Sequence, residues 1–254
     1  MFLVLCYNSD MPEILKSKLL SAFPEIEHGT YRGTYGPYFN RNVKLNRMFI
    51  DEKALFKSMN LPEGHSLVVS EQEHTDNIFI VREDPKGILK VSNNDAVITN
   101  QKNVHLLTYT ADCLPILIYD PVKKVIAAIH SGWKGVMNQI AIKTIFNMEN
   151  EFGSDRKDVV VYIGPSIGSC CYAAKTPERF EKFKKYKNGG EEKDGMYYIN
   201  LWGAIEEDLL EFGIKKENIE ISEICTMCNS DKFASHYFEG DKRITTNMTT
   251  IAMI

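Results

Sequence analysis

The sequence lacks the features that mark several large classes of protein. Its 254 residues carry a net charge of −4, so there is no basic surplus to neutralise a nucleic-acid backbone. No apolar run approaches the roughly 18 residues that span a bilayer. Glycine and proline, 16 and 9 residues, are too few for a collagenous or low-complexity chain. We therefore expect a globular enzyme that has neither nucleic acid nor membrane among its partners.

Several catalytic signatures are also missing. The sequence contains no G-x-x-x-x-G-K-[ST], no G-x-G-x-x-G after a strand and no H-E-x-x-H. It also lacks the H-x-E with P-C-x-x-C of the zinc cytidine deaminases. These absences remove support for P-loop, Rossmann, zincin and cytidine-deaminase chemistry.

Six cysteines are the one compositional bias that remains. Residues 1–6 are apolar, but they lack a basic leader and are shorter than the roughly 7 to 15 residues of a signal-peptide core. We interpret them as an edge strand. Without a secretory signal we expect reduced thiols in a cytoplasmic protein rather than a disulfide framework.

The hydrophobic pattern alternates short β-branched runs with amphipathic segments. It predicts helices over residues 10–19, 46–59 and 136–152, a helix opening at Thr176-Pro177-Glu178, and one that begins after Asn200 and stops at Gly213. It predicts strands over 67–69, 78–81, 104–109, 114–119, 125–130, 159–163, 219–224 and 249–254. The short polar turn at Asp120-Pro121 makes 114–130 an antiparallel hairpin. We expect a single α+β domain over 1–254, with 184–195 as a surface loop.

A cysteine and a histidine are brought together by that hairpin. Cys113 begins one strand and His130 ends its partner, so both side chains should lie at the same rim of the sheet. Such a pair can be a nucleophile and its base, or two ligands of zinc or copper with a third from elsewhere, for which His74 is available. The alternative is a buried cysteine and a hydrogen-bonded histidine at two strand ends.

Residues 164–168, Gly-Pro-Ser-Ile-Gly, formally match the nucleophile elbow of serine hydrolases. Asp231 and His236 could complete a triad in the right chain order. An elbow needs a helix directly after its serine, however, and Ser169-Cys170-Cys171-Tyr172 open helices poorly. We favour a tight loop of small residues that brings backbone close to a pocket.

Cys225 and Cys228 form a C-x-x-C unit, and Cys170-Cys171 could be its partner pair. A structural zinc site usually spaces both pairs by two to four residues, and adjacent cysteines do not easily point at one tetrahedral ion. The pattern therefore favours ordinary reduced cysteines over a zinc site.

Taken together, seven ordered motifs resemble the YfiH-like, laccase-domain-containing family, once called polyphenol oxidases and now regarded as multifunctional purine nucleoside enzymes. The motifs are Gln72-x-His74, Asp95 with Thr99-Asn100, Ala111-Asp112-Cys113-x-Pro115, Asp120-Pro121, His130-x-Gly132-Trp133-Lys134-Gly135, Gly164-Pro165-Ser166-Ile167-Gly168-x-Cys170-Cys171-Tyr172, and Cys225-Thr226-x-Cys228 with Phe233 and Ser235.

The resemblance implies a compact α+β sandwich, of the type also seen in a toxin deamidase, and a metal site on His74, Cys113 and His130. It implies zinc, with copper possible. The implied activities are phosphorolysis of adenosine, inosine and S-methyl-5′-thioadenosine to free base and (methylthio)ribose 1-phosphate, and hydrolytic deamination of adenosine. The partners would then be purine nucleosides and phosphate.

Three protein ligands with an open fourth position suit a catalytic zinc, which activates water near neutral pH. In this hypothesis Asp112 orients the attacking water. Phosphorolysis also needs a bound phosphate, and Arg32, Arg47 and Lys134 are the candidate contacts. Two rival functions stay open: a metal-free cysteine hydrolase using Cys113 and His130, and a copper-dependent polyphenol oxidase.

Overall fold

A computed structural model describes residues 14–34, 39–42, 47–50, 59, 61–240 and 245–254, with the backbone alone at 33–34, 39–42 and 47–50. In chain order its strands are β1 (Ile26–Thr34), β2 (Phe39–Asn42), β3 (Arg47–Ile50), β4 (Ser66–Glu71), β5 (Ile78–Val81), β6 (Ile88–Ser92), β7 (Ala96–Thr99), β8 (Val104–Thr110), β9 (Leu114–Asp120), β10 (Val125–Ser131), β11 (Val160–Ile163), β12 (Gly190–Lys193), β13 (Met196–Ile199), β14 (Ile219–Ile221) and β15 (Thr245–Met253). Its helices are α1 (Trp133–Met137), α2 (Ile140–Phe152), α3 (Pro177–Glu181), α4 (Leu201–Phe212) and α5 (His236–Glu239).

Two mixed sheets form the body of the described chain. One has five strands in the order β1-β15-β8-β4-β6, and the other has six in the order β14-β11-β9-β10-β7-β5. From β4 to β9 the chain alternates between the sheets, with β4, β6 and β8 in the first and β5, β7 and β9 in the second. Two separate hairpins, β2-β3 and β12-β13, complete the strand pairing that is described.

The central strands of the six-stranded sheet contain few polar side chains, and the sheet is correspondingly covered on both faces. Every residue of β9 is buried. Because successive side chains of a strand point to opposite faces, Leu117 and Tyr119 pack with Leu106 of the five-stranded sheet, whereas Ile116 and Ile118 pack on the helical side. The architecture is thus sheet on sheet, with α2 and α4 on the outer face.

The long hairpin and the best-capped helices are confirmed. β9 and β10 pair antiparallel, with Val125 opposite Asp120 and His130 opposite Pro115. α4 begins at Asn200, whose side chain accepts a hydrogen bond from the backbone N–H of Gly203 at 3.1 Å. It ends at Gly213, whose φ of 102° is in the left-handed region that favours glycine.

The predicted helix over 46–59 is wrong where the structure describes it, because residues 47–50 are strand β3, paired with β2. Short apolar runs do not distinguish helix from strand. Of the predicted helix over 10–19, residues 14–19 are not helical, and Leu15 instead bridges Thr30 of β1. Residues 1–13, which include the predicted edge strand 1–6, lie outside the described ranges.

Two further predictions need correction. The helix predicted over 136–152 is divided into α1 and α2, because Gln139 between them takes a left-handed φ of 56°. The predicted surface loop 184–195 contains strand β12, which pairs with β13 through a turn at Asp194-Gly195. Both turn residues have positive φ, 52° and 72°, as a two-residue type I′ hairpin requires.

The sequence analysis does not predict strand β7, which directly follows Asp95. None of the described helices is both long and apolar enough to cross a membrane.

Candidate functional site

The structure brings His74, Cys113 and His130 together at one rim of the six-stranded sheet. Their ligand atoms all lie within 4.8 Å of one another, and Cys113 Sγ lies 3.7 Å from His74 Nε2. A Cβ on Gly132 would lie 3.0 Å from both Cys113 Sγ and His74 Cδ2, so a larger residue there would crowd both side chains. We call these three residues the His-Cys-His trio.

Asp95 holds two members of the trio in place. It directly precedes β7, and its carboxylate accepts a hydrogen bond at 2.7 Å from His130 Nδ1. The same carboxylate accepts from the backbone N–H groups of Glu73, His74 and Thr75 at 3.2, 3.1 and 2.6 Å. His74 has a left-handed φ of 60°, and these bonds stabilise that turn. With Nδ1 donating to Asp95, Nε2 is the ring nitrogen of His130 that would bind a metal once it loses its proton.

The charges of Cys113 and His130 support one another. Burial alone would raise the pKa of the Cys113 thiol, but the neighbouring His130 and His74 lower it to about 6. Burial likewise opposes the charge on His130, but the Cys113 thiolate and Asp95 raise its pKa to about 9. A thiolate near neutral pH is the form that both a metal and a nucleophilic reaction require.

Asp112 lies beside the trio but is already hydrogen-bonded. It is 5% exposed; its Oδ1 accepts from the hydroxyl of Thr226 at 2.7 Å and its Oδ2 from the backbone N–H of Tyr237 at 2.8 Å. Its φ is 88°, in the left-handed region. The carboxylate thus joins the Cys113 turn to two later segments, and its role in orienting a water stays a prediction.

A cavity of about 730 Å³ opens over the trio. That volume falls in the range of small-molecule sites. Four tyrosine and tryptophan rings line it, namely Tyr109, Trp133, Tyr172 and Tyr237, and so do three cationic side chains, Lys134, Lys175 and Arg179. The Arg179 guanidinium lies 4.8 Å from the Trp133 ring centroid, and the Lys175 ammonium 5.9 Å from that of Tyr237.

The three predicted phosphate contacts differ in their position relative to the cavity. Lys134 lines the cavity. Arg32 is not among the described lining residues; its Nη1 donates to the carbonyl oxygens of Ser230 and Asp231 at 2.7 and 3.2 Å, and its Nη2 lies 3.4 Å from Glu239. The side chain of Arg47 lies outside the described part of the structure. Phosphate binding by Arg32 and Arg47 stays a prediction.

The serine of residues 164–168 does not resemble an exposed nucleophile. Ser166 is fully buried, and its Oγ accepts a hydrogen bond from Trp202 Nε1 at 2.6 Å. No helix follows it, since residues 167–172 form turns and irregular backbone. Ile167 instead lines the cavity and donates its backbone N–H to the Asp112 carbonyl at 2.9 Å. This agrees with the interpretation as a tight loop beside a pocket.

The four remaining described cysteines converge, contrary to expectation. The sulfurs of Cys170, Cys171, Cys225 and Cys228 all lie within 4.8 Å of one another. Adjacency does not keep the Cys170 and Cys171 sulfurs apart from the other two, because both cysteines lie in a tight turn. We call this group the four-cysteine cluster.

Several residues of the site have no role in the sequence-based prediction. Asp95 enters that prediction only as part of a motif, and Lys175, Arg179 and Tyr237 do not enter it. The Asn-Asn-Asp sequence before the apolar run 96–99 was the available signal for Asp95. Nothing local marks the other three, because they reach the cavity only through the tertiary fold.

Comparisons with known proteins identify the family. A family model described as multi-copper polyphenol oxidoreductase laccase matches residues 40–254. The chain belongs to this family. It is 32% identical over 246 residues to a purine nucleoside phosphorylase of Bacteroides thetaiotaomicron, covering 85% of this chain and 87% of that protein. It is 37% identical over 172 residues to one of Clostridium acetobutylicum, covering 66% and 70%.

The fold is shared with a solved relative. The crystal structure of Bacillus licheniformis YfiH matches with a TM-score of 0.79 at 25% identity, over 96% of this chain and 98% of that one. The predicted α+β sandwich of this family is therefore confirmed. The family description and the candidate His/Cys sites together indicate a metal-binding protein.

Proposed function

We propose that this chain is a zinc-dependent purine nucleoside phosphorylase that also deaminates adenosine. Its substrates would be adenosine, inosine and S-methyl-5′-thioadenosine, and its phosphorolytic products a free base and (methylthio)ribose 1-phosphate. The names of the two relatives support the phosphorylase activity. The observation that carries the proposal is the convergence of three metal-ligating atoms on an open cavity lined by aromatic and cationic side chains.

The trio fits a catalytic zinc. His74, Cys113 and His130 would hold the ion, and a set of three nitrogen and sulfur ligands leaves one position for water or substrate. Asp95 supplies the carboxylate–histidine contact that usually orients such a ligand. When bound, zinc would supply Lewis-acid activation near neutral pH.

The remaining residues of the cavity suit a nucleoside and an anion. Tyr172 and Tyr237 meet edge to face, with ring centroids 5.5 Å apart, and together with Trp133 they offer aromatic surface to a purine. Lys175 lies near the Tyr237 ring and Arg179 near the Trp133 ring, and both bring positive charge to the cavity. In phosphorolysis the phosphate oxygen bonds to C1′ of the ribose while the C1′–N9 bond breaks, and the two cations would position the phosphate and offset its charge.

The test is product analysis on protein of measured metal content. Each nucleoside is incubated with and without phosphate, and products are identified by mass spectrometry. We expect free base and ribose 1-phosphate only with phosphate, inosine from adenosine in either buffer, and loss of both after chelation. Zinc should restore both activities.

Other outcomes contradict the proposal specifically. Full deamination by chelated protein would remove zinc from that reaction. Base release without phosphate would indicate a hydrolase, and a metal-free protein that remains active would favour Cys113 and His130 as nucleophile and base. Oxidation of phenols by copper-loaded protein, without nucleoside turnover, would support the polyphenol oxidase alternative.

A further inference from the structure

A second group of metal-ligating side chains lies outside the proposed active site. None of its members lines the cavity over the trio. We propose that the four-cysteine cluster, Cys170, Cys171, Cys225 and Cys228, binds a structural zinc ion. This proposal does not depend on the proposed function.

The distances between the sulfurs match one tetrahedral ion. Four thiolates about 2.3 Å from a central zinc are about 3.8 Å from one another by tetrahedral geometry. In the structure Cys228 Sγ lies 3.6 Å from Cys170 Sγ and 3.4 Å from Cys171 Sγ. All pairs lie within 4.8 Å. An iron–sulfur cluster would need more space, because its own iron and sulfide atoms lie between the thiolates.

The backbone explains how adjacent cysteines share one site. Residues 168–172 turn tightly, with the backbone N–H groups of Cys171 and Tyr172 both donating to the carbonyl of Gly168 at 3.0 Å. Both neighbouring thiols can therefore face the same point. The C-x-x-C unit lies opposite in a second turn, in which the backbone N–H of Asn229 donates to the carbonyl of Cys225 at 3.1 Å.

Backbone contacts join the two turns. Ser166 and Cys225 form an isolated parallel bridge, and the backbone N–H of Thr226 donates to the carbonyl of Ser166 at 3.0 Å. Cys225 is 6% exposed, whereas Cys170 and Cys228 are exposed. The cluster is therefore a surface site with one buried anchor.

The location gives the ion a structural purpose. Residues 222–235 contain no helix and no strand longer than a single bridge, and irregular segments of this length are uncommon in compact domains. The first turn carries Ile167 and Tyr172 into the cavity wall, and the second carries Thr226 to Asp112. An ion between the turns would fix that wall. Four protein ligands leave no open position, as in structural rather than catalytic zinc sites.

Metal analysis of matched variants tests the proposal. Cys225→Ser should lose one equivalent of zinc relative to the wild type and melt lower by about 10 °C or more. Cys113→Ser is the control. It removes the only sulfur of the trio but should keep the equivalent of zinc that the four-cysteine cluster binds. Zinc X-ray absorption of Cys113→Ser should show a shell of sulfur at about 2.3 Å.

Three outcomes would overturn the proposal. The first is equal metal content in the wild type and Cys225→Ser, and the second is a zinc shell without sulfur in Cys113→Ser. The third is a disulfide between Cys228 and Cys170 or Cys171 in freshly purified, metal-free protein. If Cys225→Ser does not fold, Cys170→Ser at an exposed position gives the same comparison, and the absorption measurement needs no cluster variant.

Discussion

The His-Cys-His trio and the four-cysteine cluster flank the same cavity wall but differ in composition and surroundings. The trio mixes imidazole and thiolate, lies at the rim of a buried sheet and faces a cavity of about 730 Å³. The cluster has four thiols, joins two turns and has no member in the cavity lining. Asp112 connects the two regions, because it precedes Cys113 and accepts a hydrogen bond from Thr226 within the C-x-x-C unit.

The number of protein ligands distinguishes a metal site that can react from one that only stabilises the fold. An incomplete ligand set beside a cavity leaves room for a reacting molecule, whereas a complete set between two loops leaves none. The two sites also differ in the structural elements that hold their ligands in place. The trio is positioned by strands β9 and β10 and by the buried carboxylate of Asp95, so it should keep its geometry without metal. The cluster lies between turns with little other structure, so its folding should depend on the ion.

The largest expected effect is on turnover when the trio is broken. Cys113→Ser should lower kcat/KM for every nucleoside by about a thousandfold or more, equivalent to about 4 kcal/mol. Its melting temperature should change by only a few degrees, because β9 and β10 hold the rim. Steady-state kinetics and calorimetry on the same preparation check both expectations. A large loss of stability with turnover preserved would reverse the roles that we assign to the two regions.

Asp95→Asn should have the next largest effect. The amide cannot offset positive charge on His130, so zinc affinity of the trio should fall 10- to 100-fold, as measured by competition with a chromogenic chelator. Asp76→Asn is the matched control, since Asp76 lies in the loop to which Asp95 hydrogen-bonds through residues 73–75, but its own carboxylate pairs with Lys143 at the surface. Equal losses in the two variants would mean that the effect is general loop charge and not the Asp95–His130 contact.

Arg179→Ala should raise the KM for phosphate about tenfold, which corresponds to one charge-assisted contact. Lys182→Ala is the control: its ammonium lies 5.3 Å from the same Trp133 ring, but Lys182 does not line the cavity. Phosphate saturation curves at fixed nucleoside distinguish the variants. An unchanged KM in Arg179→Ala would remove this residue as the phosphate contact.

The Arg32→Ala variant distinguishes two roles for Arg32: the phosphate contact that the sequence predicts, and the stabilising contact that its hydrogen bonds indicate. Its hydrogen bonds to Ser230 and Asp231 lead us to expect a loss of about 1–2 kcal/mol in the free energy of unfolding. The KM for phosphate should not change. Denaturant titration measures the first quantity and kinetics the second, and a raised phosphate KM with normal stability would restore Arg32 as the anion contact.

The sequence analysis correctly predicted the elements that local features determine, namely the hairpin of neighbouring strands and the capped helix. The hairpin placed Cys113 near His130 because alternation and a short polar turn fix the register, and Asn200 and Gly213 marked α4 through capping chemistry. The prediction failed where a segment becomes a strand only because another segment pairs with it. Residues 47–50 are a strand through pairing with 39–42.

Prediction of the candidate sites was limited in the same way, because their residues meet only through contacts distant in sequence. Separations of about 55 residues conceal the convergence of Cys170-Cys171 with Cys225 and Cys228, since each pair is an ordinary turn until both meet. Likewise Arg179 reaches the cavity through the placement of α3, which no periodicity specifies. Long-range contacts of this kind require the fold to be known.

The smallest expected effect concerns the acidity of Cys113 in chelated protein. Its pKa of about 6 means that alkylation by iodoacetamide should fall only below about pH 6, since the thiolate is the reactive form. At pH 7 the gain in rate over an ordinary cysteine should be only a few-fold, because nucleophilicity falls as the pKa falls. The pH midpoint is therefore the decisive quantity, and peptide mass spectrometry assigns the label to Cys113. His130→Asn should move the midpoint upward by removing the imidazolium. A midpoint that stays near pH 6 in that variant would show that His130 does not stabilise the thiolate.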